Sequence, residues 1–482
     1  MIIPFPLFEP DKSPFNGRTG DNLKNCVPVA DGWKGLPSLS EISASLGAEC
    51  RGAAFVRASD GTFTLIAGTE TALKKLNTTD YTWTDISGVS APYSVPQNDL
   101  WVFTEFGNSL IANQLGDVPQ VYDIEAGGSF ADLGGSPPTA KYSWAAGDFL
   151  VFGYLDGEPD YIQWSGLNNS AFWTNGQRGA DKQQLPSGGE VVGGIGDERG
   201  AVIIQRDSMR YMQFAPGSGY TFTISPANEK RGSIAPYSIV QIGPGQFAYL
   251  SEDGFFMNVS GVPIGAQRVD SWFFENIDQT FLADVKGVAD PFEKIIWWQF
   301  QKSDGAKYLL GYAWQLDRWC YSDQDVSQMV ALATPATTWD GLDTLYATID
   351  DVTEPFDSRL FSGGRPTFAA FTTGNILAYF TGANKAATLE TAAVEPVPGM
   401  RAFINGGRVH TDATGYTVQV GTADFHGDTF TYKNAVSPST RSGHLPLRAS
   451  GRLFRFRTVI PAGAEWSVAT AIEATENREG MQ

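Results

Sequence analysis

Short apolar runs with strand-like patterning recur along the chain, whereas apolar positions with helical spacing are nearly absent. These runs are rich in β-branched and aromatic residues, which is typical of β-strands. The clearest of them are Thr62–Ile66, Ala201–Gln205, Phe255–Val259, Lys294–Phe300 and Lys307–Tyr312. The best candidate for a short helix is Leu36–Leu46. The pattern predicts an all-β protein.

Asp-Gly and Asn-Gly pairs separate many of these runs. Such pairs supply the positive φ angles that two-residue hairpin turns require. The pairs are Asp60-Gly61, Asp156-Gly157, Asp253-Gly254, Asp304-Gly305, Asp340-Gly341 and Asn405-Gly406. We expect each of them at the tip of a β-hairpin.

Aromatic segments also recur, at intervals of 43 to 50 residues. Repeats of this length with several strands each are the sequence signature of propeller blades. The markers are Trp83, Phe130, Trp173, Phe222, Trp272 and Trp319, each expected in an aromatic strand that leads into a loop. We predict a β-propeller of six or seven blades over residues 50–374. The alternative is one long β-sandwich or two ordinary β domains.

The ends of the chain differ from this central region. Residues 1–49 are rich in proline and predict an extended N-terminal arm. Residues 375–398 are rich in Ala, Thr and Val and predict a linker that ends near Pro396-Val-Pro-Gly399. Residues 399–482 contain five strand-like runs and predict a C-terminal β-sandwich.

The charge is unevenly distributed along the 482 residues, whose formal net charge is −19. Residues 395–482 carry nine Lys and Arg against eight Asp and Glu, which leaves 25 against 45 for residues 1–394. A body with a net charge of −20 repels nucleic acid at long range. We therefore expect no tight DNA binding, although DNA could still slide past the protein.

Cysteine content and hydropathy indicate where the protein is made. Cys26, Cys50 and Cys320 form no CxxC pair, and their odd number cannot complete a disulfide framework, so buried free thiols are expected. The first residues lack the basic flank of a secretory signal. No run approaches the ~18 apolar residues that span a bilayer. We expect synthesis as a soluble chain in the cytoplasm, with no membrane insertion.

Motifs for catalysis or cofactor binding are missing. The sequence contains no GxSxG and no GxxxxGK[ST], and Gly194-Ile-Gly196 is interpreted as a hairpin turn rather than a dinucleotide loop. The histidines, His410, His426 and His444, lie too far apart for a typical metal motif. Asp350-Asp351 are adjacent, so on a strand they would face opposite sides. We predict no catalytic, cofactor-binding or metal-binding residues and expect the protein not to be an enzyme.

A basic strip lies near the C-terminus, in Arg452-Leu-Phe-Arg-Phe-Arg457 with Arg448 nearby. Strand alternation places Phe454 and Phe456 on one face and Arg455 and Arg457 on the other. The strip is either a solvated sheet face or a contact with an acidic neighbour. We take Arg448, Arg452, Arg455 and Arg457 as subunit-interface candidates. Replacing Arg455 and Arg457 by Glu is then expected to block assembly without unfolding the monomer.

Four segments, taken in order, resemble the tail-hub or nozzle proteins of short-tailed bacteriophages, which include packaged-DNA stabilisation proteins. The first is the arm that runs into Gly32-Trp-Lys-Gly-Leu-Pro37, and the second is Asp160–Trp173. The third is Val191-Val-Gly-Gly-Ile-Gly196 with Val202–Tyr211. The fourth is Gly451-Arg-Leu-Phe-Arg-Phe-Arg457 followed by Trp466.

The resemblance implies a structural virion protein in the phage tail, assembled as a ring of six copies. The ring would extend and seal the DNA channel below the portal and adaptor proteins. It would support tail fibre, spike or needle proteins, and genomic DNA would pass through without specific binding. The resemblance implies no catalytic residue. The alternative is a carbohydrate-binding or glycan-cleaving propeller for host recognition, which would need carboxylates and aromatics converging at the propeller axis.

Overall fold

Seven four-stranded antiparallel sheets dominate the computed structural model, which describes residues 1–13, 19–333, 348 and 366–478. In the first six sheets the strands follow one another in chain order. These strands are β8 (Ala53–Arg57), β9 (Phe63–Gly68), β10 (Leu73–Leu76) and β11 (Trp83–Asp85); β12 (Val102–Phe106), β13 (Ser109–Asn113), β14 (Gln120–Asp123) and β15 (Ala131–Asp132); β16 (Ala140–Ala146), β17 (Phe149–Leu155), β18 (Glu158–Trp164) and β19 (Asp181–Gln184); β20 (Val191–Asp197), β21 (Gly200–Gln205), β22 (Met209–Phe214) and β23 (Phe222–Asn228); β24 (Val240–Gly243), β25 (Gln246–Ser251), β26 (Gly254–Met257) and β27 (Val262–Pro263); and β28 (Lys286–Asp290), β29 (Ile295–Gln301), β30 (Lys307–Ala313) and β31 (Arg318–Ser322).

The seven sheets are the blades of a β-propeller. The first strands β8, β12, β16 and β20 contact one another in series, and so do β24, β28 and β32 (Gln328–Ala333). Apolar residues of β20 and β25 share one buried cluster, which joins the fourth blade to the fifth. Strand β32 also contacts β8, which closes the ring. The predicted all-β fold and the predicted propeller are confirmed.

The seventh blade takes its fourth strand from the beginning of the chain. It contains β32, β33 (Pro366–Phe371), β34 (Ile376–Tyr379) and β7 (Ser40–Ser45), in that order. In the antiparallel pair of β34 and β7, Ala378 lies opposite Glu41 and Tyr379 opposite Ser40. The short helix expected at Leu36–Leu46 is therefore wrong, because this segment is an edge strand whose Ile42 is buried between the seventh and first blades.

Two further sheets form the C-terminal β-sandwich, and the N-terminal arm contributes strands to both. The arm strands are β1 (Ile2–Pro4), β2 (Leu7–Phe8), β3 (Thr19–Gly20), β4 (Leu23–Lys24), β5 (Cys26–Val29) and β6 (Gly32–Gly35). The later strands are β35 (Ala387–Glu390), β36 (Ala402–Thr411), β37 (Thr417–Ala423), β38 (Thr431–Tyr432), β39 (Ala449–Gly451), β40 (Leu453–Ile460) and β41 (Ala469–Arg478). One sheet has the order β39-β36-β41-β6-β5, with β1 beside β41; the other has the order β38-β37-β40-β35-β4.

The strand pairings do not follow the predicted domain boundaries at residues 49, 374 and 398. The predicted linker, 375–398, contains β34 of the seventh blade and β35 of the sandwich. The predicted arm, 1–49, supplies strands to both domains because unpaired strands beside a sheet edge gain backbone hydrogen bonds by joining it.

Asp323 joins the propeller to the sandwich. Its carboxylate lies 2.8 Å from Lys24 in the arm and 2.9 Å from Lys385 before the sandwich. Asn25 accepts a hydrogen bond from the Asp323 backbone at 3.1 Å. Burial alone would raise the pKa of Asp323, but hydrogen bonds from the two lysines outweigh it and lower the pKa to about 2. The joint is therefore an ionic network among three parts of the chain.

Several local predictions are corrected by the structure. The segment around Trp272 is a helix, α1 (Asp270–Asn276), and Trp173 lies in a loop where it stacks on Phe152 at 4.8 Å. Asn405-Gly406 lies inside β36 at a register shift, not at a hairpin tip. Gly194-Ile-Gly196 lies in β20, where Trp144 packs so closely that a Cβ at Gly194 would collide with its ring.

Other local predictions are confirmed or fall outside the described residues. Asp60-Gly61, Asp156-Gly157 and Asp304-Gly305 connect paired strands as predicted, whereas at Asp253-Gly254 the turn is Glu252-Asp253 and Gly254 already begins β26. The three cysteines are buried free thiols. Asp340-Gly341 and Asp350-Asp351 lie outside the described residues. Two short 3₁₀ helices, Pro236–Ser238 and Gln279–Asp284, complete the secondary structure of the described chain.

Candidate functional site

Strand β40 presents two faces of opposite chemistry. Phe454 and Phe456 are fully buried in the sandwich core, and Arg455 and Arg457 lie on the other face. This is the predicted alternation, which follows from the two-residue repeat of a β-strand. The arginine face is not free surface, however, because it forms one wall of a pocket of about 610 Å³. We call this cavity the arginine pocket.

Glu390 anchors the inner end of the arginine pocket. It lies directly opposite Arg457 on the paired strand β35, and its side chain is only 4% exposed. The Arg457 Nε donates to Glu390 Oε2 at 2.6 Å, and the Arg455 Nη1 lies 3.5 Å from Oε1. The Tyr432 hydroxyl and the Asn22 amide donate to the same carboxylate at 2.6 and 2.7 Å. A buried carboxylate needs such partners to remain ionised.

Aromatic rings support both guanidinium groups. The Arg457 guanidinium lies 4.0 Å from the centre of the Tyr432 ring, and that of Arg455 lies 4.8 Å from the Phe430 ring. Burial, followed by the hydrogen bond to Glu390 and its charge, raises the pKa of Tyr432. The hydroxyl therefore stays protonated and can donate to Glu390. The rings and the carboxylate together fix the positions of both arginines.

The four interface candidates thus fall into two pairs. Arg448 and Arg452 are exposed, and Arg452 lies 5.9 Å from the ring of Phe425, which is itself 65% exposed. Arg455 and Arg457 are recessed and held by Glu390. Replacing both recessed arginines by Glu would place two further carboxylates beside the buried Glu390, so we expect that double variant to destabilise the monomer. Arg448 and Arg452 remain candidates for a subunit contact.

A second cavity lies on the propeller axis. It measures about 330 Å³ and is lined by residues of the first strands of six blades, together with Tyr237. Lys286 reaches into it, and its ammonium group donates to Gln328 Oε1 at 2.7 Å. Burial, followed by the charge of Lys307, lowers the pKa of Lys286 to about 8. A cavity of this volume can hold a small molecule at most.

The aromatic and acidic groups near the axis are largely engaged with one another. Tyr142 and Tyr237 line the cavity with ring centres 6.2 Å apart. Asp99 lies 2.6 Å from Lys141, whose ammonium group sits 5.8 Å from the Tyr142 ring. Asp284 lines a neighbouring cavity, and burial raises its pKa. Tyrosines and two carboxylates therefore lie near the axis, and one of the carboxylates, Asp99, is paired with a lysine.

Sequence reasoning missed Glu390, Asn22 and Tyr432, the partners of the two arginines. Glu390 falls in the predicted linker, and Asn22 falls in the predicted arm. The pairing of β35 with β40 and β4 brings Glu390 and Asn22 to Arg457. Tyr432 reaches it from β38, on the other side of the same sheet order. A usable signal was the single acidic residue at the end of an apolar strand-like run, Ala387–Glu390, which suits a buried carboxylate facing a basic strip.

Comparisons with known proteins leave the family open. No family model matches the chain, and no curated protein matches it. BamB from Moraxella catarrhalis is 11% identical, with a TM-score of 0.35, over 74% of this chain and 92% of that one. The extracellular domain of the hybrid two-component system BT4673 from B. thetaiotaomicron is 12% identical, with a TM-score of 0.33, over 57% and 45%. The computationally designed protein Ika8 is 11% identical, with a TM-score of 0.33, over 62% and 97%.

The described residues contain neither a cluster of metal ligands nor a membrane-spanning helix. None of their His, Cys, Asp and Glu side chains form a group of three that could hold a metal ion. Among the helices of the same residues, none is long and apolar enough to cross a membrane.

Proposed function

We propose that this chain is a structural subunit of the tail of a short-tailed bacteriophage, located in the virion. Six copies form a ring that extends and seals the DNA channel below the portal and adaptor proteins. The ring supports tail fibre, spike or needle proteins. The protein has no catalytic role and no cofactor.

The order of four segments is the observation that carries this proposal. Each segment that resembles the tail-hub family falls on a distinct part of the fold. The first lies on β6 of the arm, the second on β18 and the loop to Trp173, the third on β20–β22, and the fourth on β40. The resemblance therefore runs through the arm, the propeller and the sandwich in the same chain order.

The size of the axial cavity decides where DNA would pass. About 330 Å³ suits a small ligand but not a nucleic-acid duplex, whose major groove alone is about 12 Å wide. DNA would therefore pass through the opening enclosed by the ring of subunits, not through a propeller. An acidic body suits such passage because it offers phosphates no net attraction.

Arg448 and Arg452 supply positive charge for a contact that closes the ring. A head-to-tail ring brings two different surfaces of the chain together. Two exposed arginines on the sandwich complement an acidic surface on the next copy. The test is the double variant Arg448→Glu and Arg452→Glu, compared with Lys433→Glu and Arg441→Glu, which change the charge equally at other exposed positions of the sandwich.

We expect the first variant to remain folded and to lose assembly, or to assemble only at high salt. The control variant should assemble like the wild type. Size-exclusion chromatography with light scattering measures assembly, and circular dichroism measures folding. Equal assembly of both variants would exclude this contact.

A glycan-binding or glycan-cleaving propeller is the second candidate function. The axial cavity favours it, because its volume lies in the range of ligand pockets and two tyrosines line it. Cleavage by two carboxylates is disfavoured because Asp99 is paired with Lys141. Release of reducing sugar from host polysaccharide, lost on Asp99→Asn or Asp284→Asn, would support this candidate against the first.

A further inference from the structure

We propose that the arginine pocket is a binding site for a sugar acid, with the sugar carboxylate against Arg455 and the hydroxyl groups towards the rim. This inference goes beyond the structural role proposed above and does not depend on it. It concerns the terminal sandwich, not the propeller axis.

The arginine pocket has the size and access of a ligand site. Its volume of about 610 Å³ lies within the range of about 300–1,000 Å³ found for small-molecule sites. Asp21 and residues 427–429, which line its mouth, are exposed. A ligand of one sugar ring can therefore enter from solvent.

The inner wall has an excess of hydrogen-bond donors. Two guanidinium groups face the one carboxylate of Glu390, which already accepts from Arg457, Tyr432 and Asn22. The Arg455 Nε is buried and has no hydrogen-bond acceptor among the described residues. A buried donor without an acceptor is costly, and a guanidinium group matches a carboxylate in shape and charge. The Nε itself is closed off from solvent, so a bound carboxylate would accept from the other N–H groups of the Arg455 guanidinium, which lines the pocket.

The rim presents the opposite chemistry. Asp21 and Asp428 line the mouth as hydrogen-bond acceptors, and Phe430 and Tyr432 form an aromatic side of the cavity. Carboxylates accept from hydroxyl groups, and the apolar face of a sugar ring packs against aromatic side chains. A sugar acid carries both a carboxylate and hydroxyls. An acidic amino-acid side chain carries only the carboxylate, and it would face repulsion at the rim without a compensating hydrogen bond.

The experiment measures binding to the full chain by titration calorimetry and ligand-observed NMR. The probes are galacturonic acid, the neutral sugar galactose, and a capped glutamate. Arg455→Met removes the guanidinium group and keeps an apolar stem against Phe430. The matched control is Arg441→Met, which removes the same group from an exposed position of the sandwich outside the pocket.

We expect galacturonic acid to bind at least about tenfold more tightly than galactose, which lacks the carboxylate, and than capped glutamate, which lacks the ring hydroxyl groups, because each loss removes one charge-assisted hydrogen bond. Arg455→Met should lose the preference over galactose, and Arg441→Met should keep it. Equal binding of the two sugars, tighter binding of capped glutamate, or unchanged binding by Arg455→Met would overturn the proposal. If Arg455→Met does not fold, the three probes on the wild-type chain still decide. Ring assembly is measured separately, so failure of the sugar-acid site leaves the structural proposal untouched.

Discussion

Glu390 is the residue on which the arginine pocket depends for its shape. Its carboxylate is buried and accepts hydrogen bonds from four side chains, with Arg457 and Tyr432 closest at 2.6 Å. Buried charges contribute little net stability when paired, but removing one partner leaves an expensive unpaired charge. Removing the charge therefore costs much more stability at Arg457 than at an exposed arginine such as Arg452.

Replacing Arg457 by Met should lower the free energy of unfolding by roughly 2 kcal/mol. The loss stays below that of a fully unpaired charge because Tyr432 and Asn22 still donate to Glu390. Arg452→Met should change the free energy of unfolding by less than about 0.5 kcal/mol, because Arg452 is exposed. Urea unfolding of both variants measures the difference. Equal losses would mean that the Glu390 network does not hold the sandwich.

Asp270 is a second residue whose charge state depends on folding. Burial raises the pKa of Asp270 to about 7, against the partial compensation of a hydrogen bond from the Phe255 backbone. The charges of Asp11 and Asp253 act in the same direction as burial. In the unfolded chain the same carboxyl ionises near pH 4. The folded protein therefore binds one more proton than the unfolded chain between about pH 4 and pH 7.

This difference sets the sign of a pH dependence. The contribution of Asp270 to stability is fully present below about pH 4 and is lost as the pH rises through about 7. Asp270→Asn should remove that part of the pH dependence. The free energy of unfolding of the variant, relative to that of the wild type, should therefore rise from pH 4 to pH 8. Thermal unfolding at several pH values measures it. A constant difference between the two proteins across this range would show that Asp270 does not titrate on unfolding.

At the scale of the element, β7 is the strand that closes the propeller. Ile42 is 6% exposed and packs in a cluster shared by the seventh and first blades, with Leu377 and Leu65 among its members. Ile42→Ala should lower the free energy of unfolding by about 3 kcal/mol, because it leaves a cavity in that core. Glu41→Ala, an exposed neighbour on β7, should cost less than about 0.5 kcal/mol. Denaturant unfolding with both variants is the measurement, and similar costs would argue that β7 does not close the ring.

The blades could be predicted from sequence because each repeats the same local pattern. Trp83, Phe222 and Trp319 lie in the fourth strands of their blades, so their spacing follows the blade length. The helix around Trp272 was missed because an aromatic run suits a strand as well as a short helix. The strands of the arm were missed for another reason. They are two to six residues long, and β1, β4 and β7 pair with strands far along the chain, as β7 does with β34.

Only half of the candidate site could be predicted from the sequence. The alternation that places Arg455 and Arg457 on one face is local and was found. Their burial was not found, because it depends on Glu390 in a neighbouring strand and on Asn22 in the arm. Local spacing predicts which face of a strand a residue occupies, but not what covers that face.

At the scale of the whole molecule, the charge distribution predicts weak contact with DNA. Residues 1–394 carry a net charge of −20, and the axial cavity does not admit a duplex. At moderate salt we expect a dissociation constant no tighter than about 10⁻⁶ M, without sequence preference. Fluorescence anisotropy with two unrelated duplexes, at two salt concentrations, measures it. Nanomolar binding to one duplex only would contradict passage of DNA without specific binding.

Assembly is the property that separates the proposed tail subunit from a glycan-binding propeller. A subunit of a head-to-tail ring should form closed, symmetric particles, whereas a glycan-binding propeller can act as a monomer. Electron microscopy of the purified full-length chain over a range of concentrations, with masses from light scattering, tests this difference most directly. The account predicts rings of six copies around an opening wide enough for a DNA duplex. A compact monomer at every concentration, with affinity for a host glycan at the propeller axis, would contradict it.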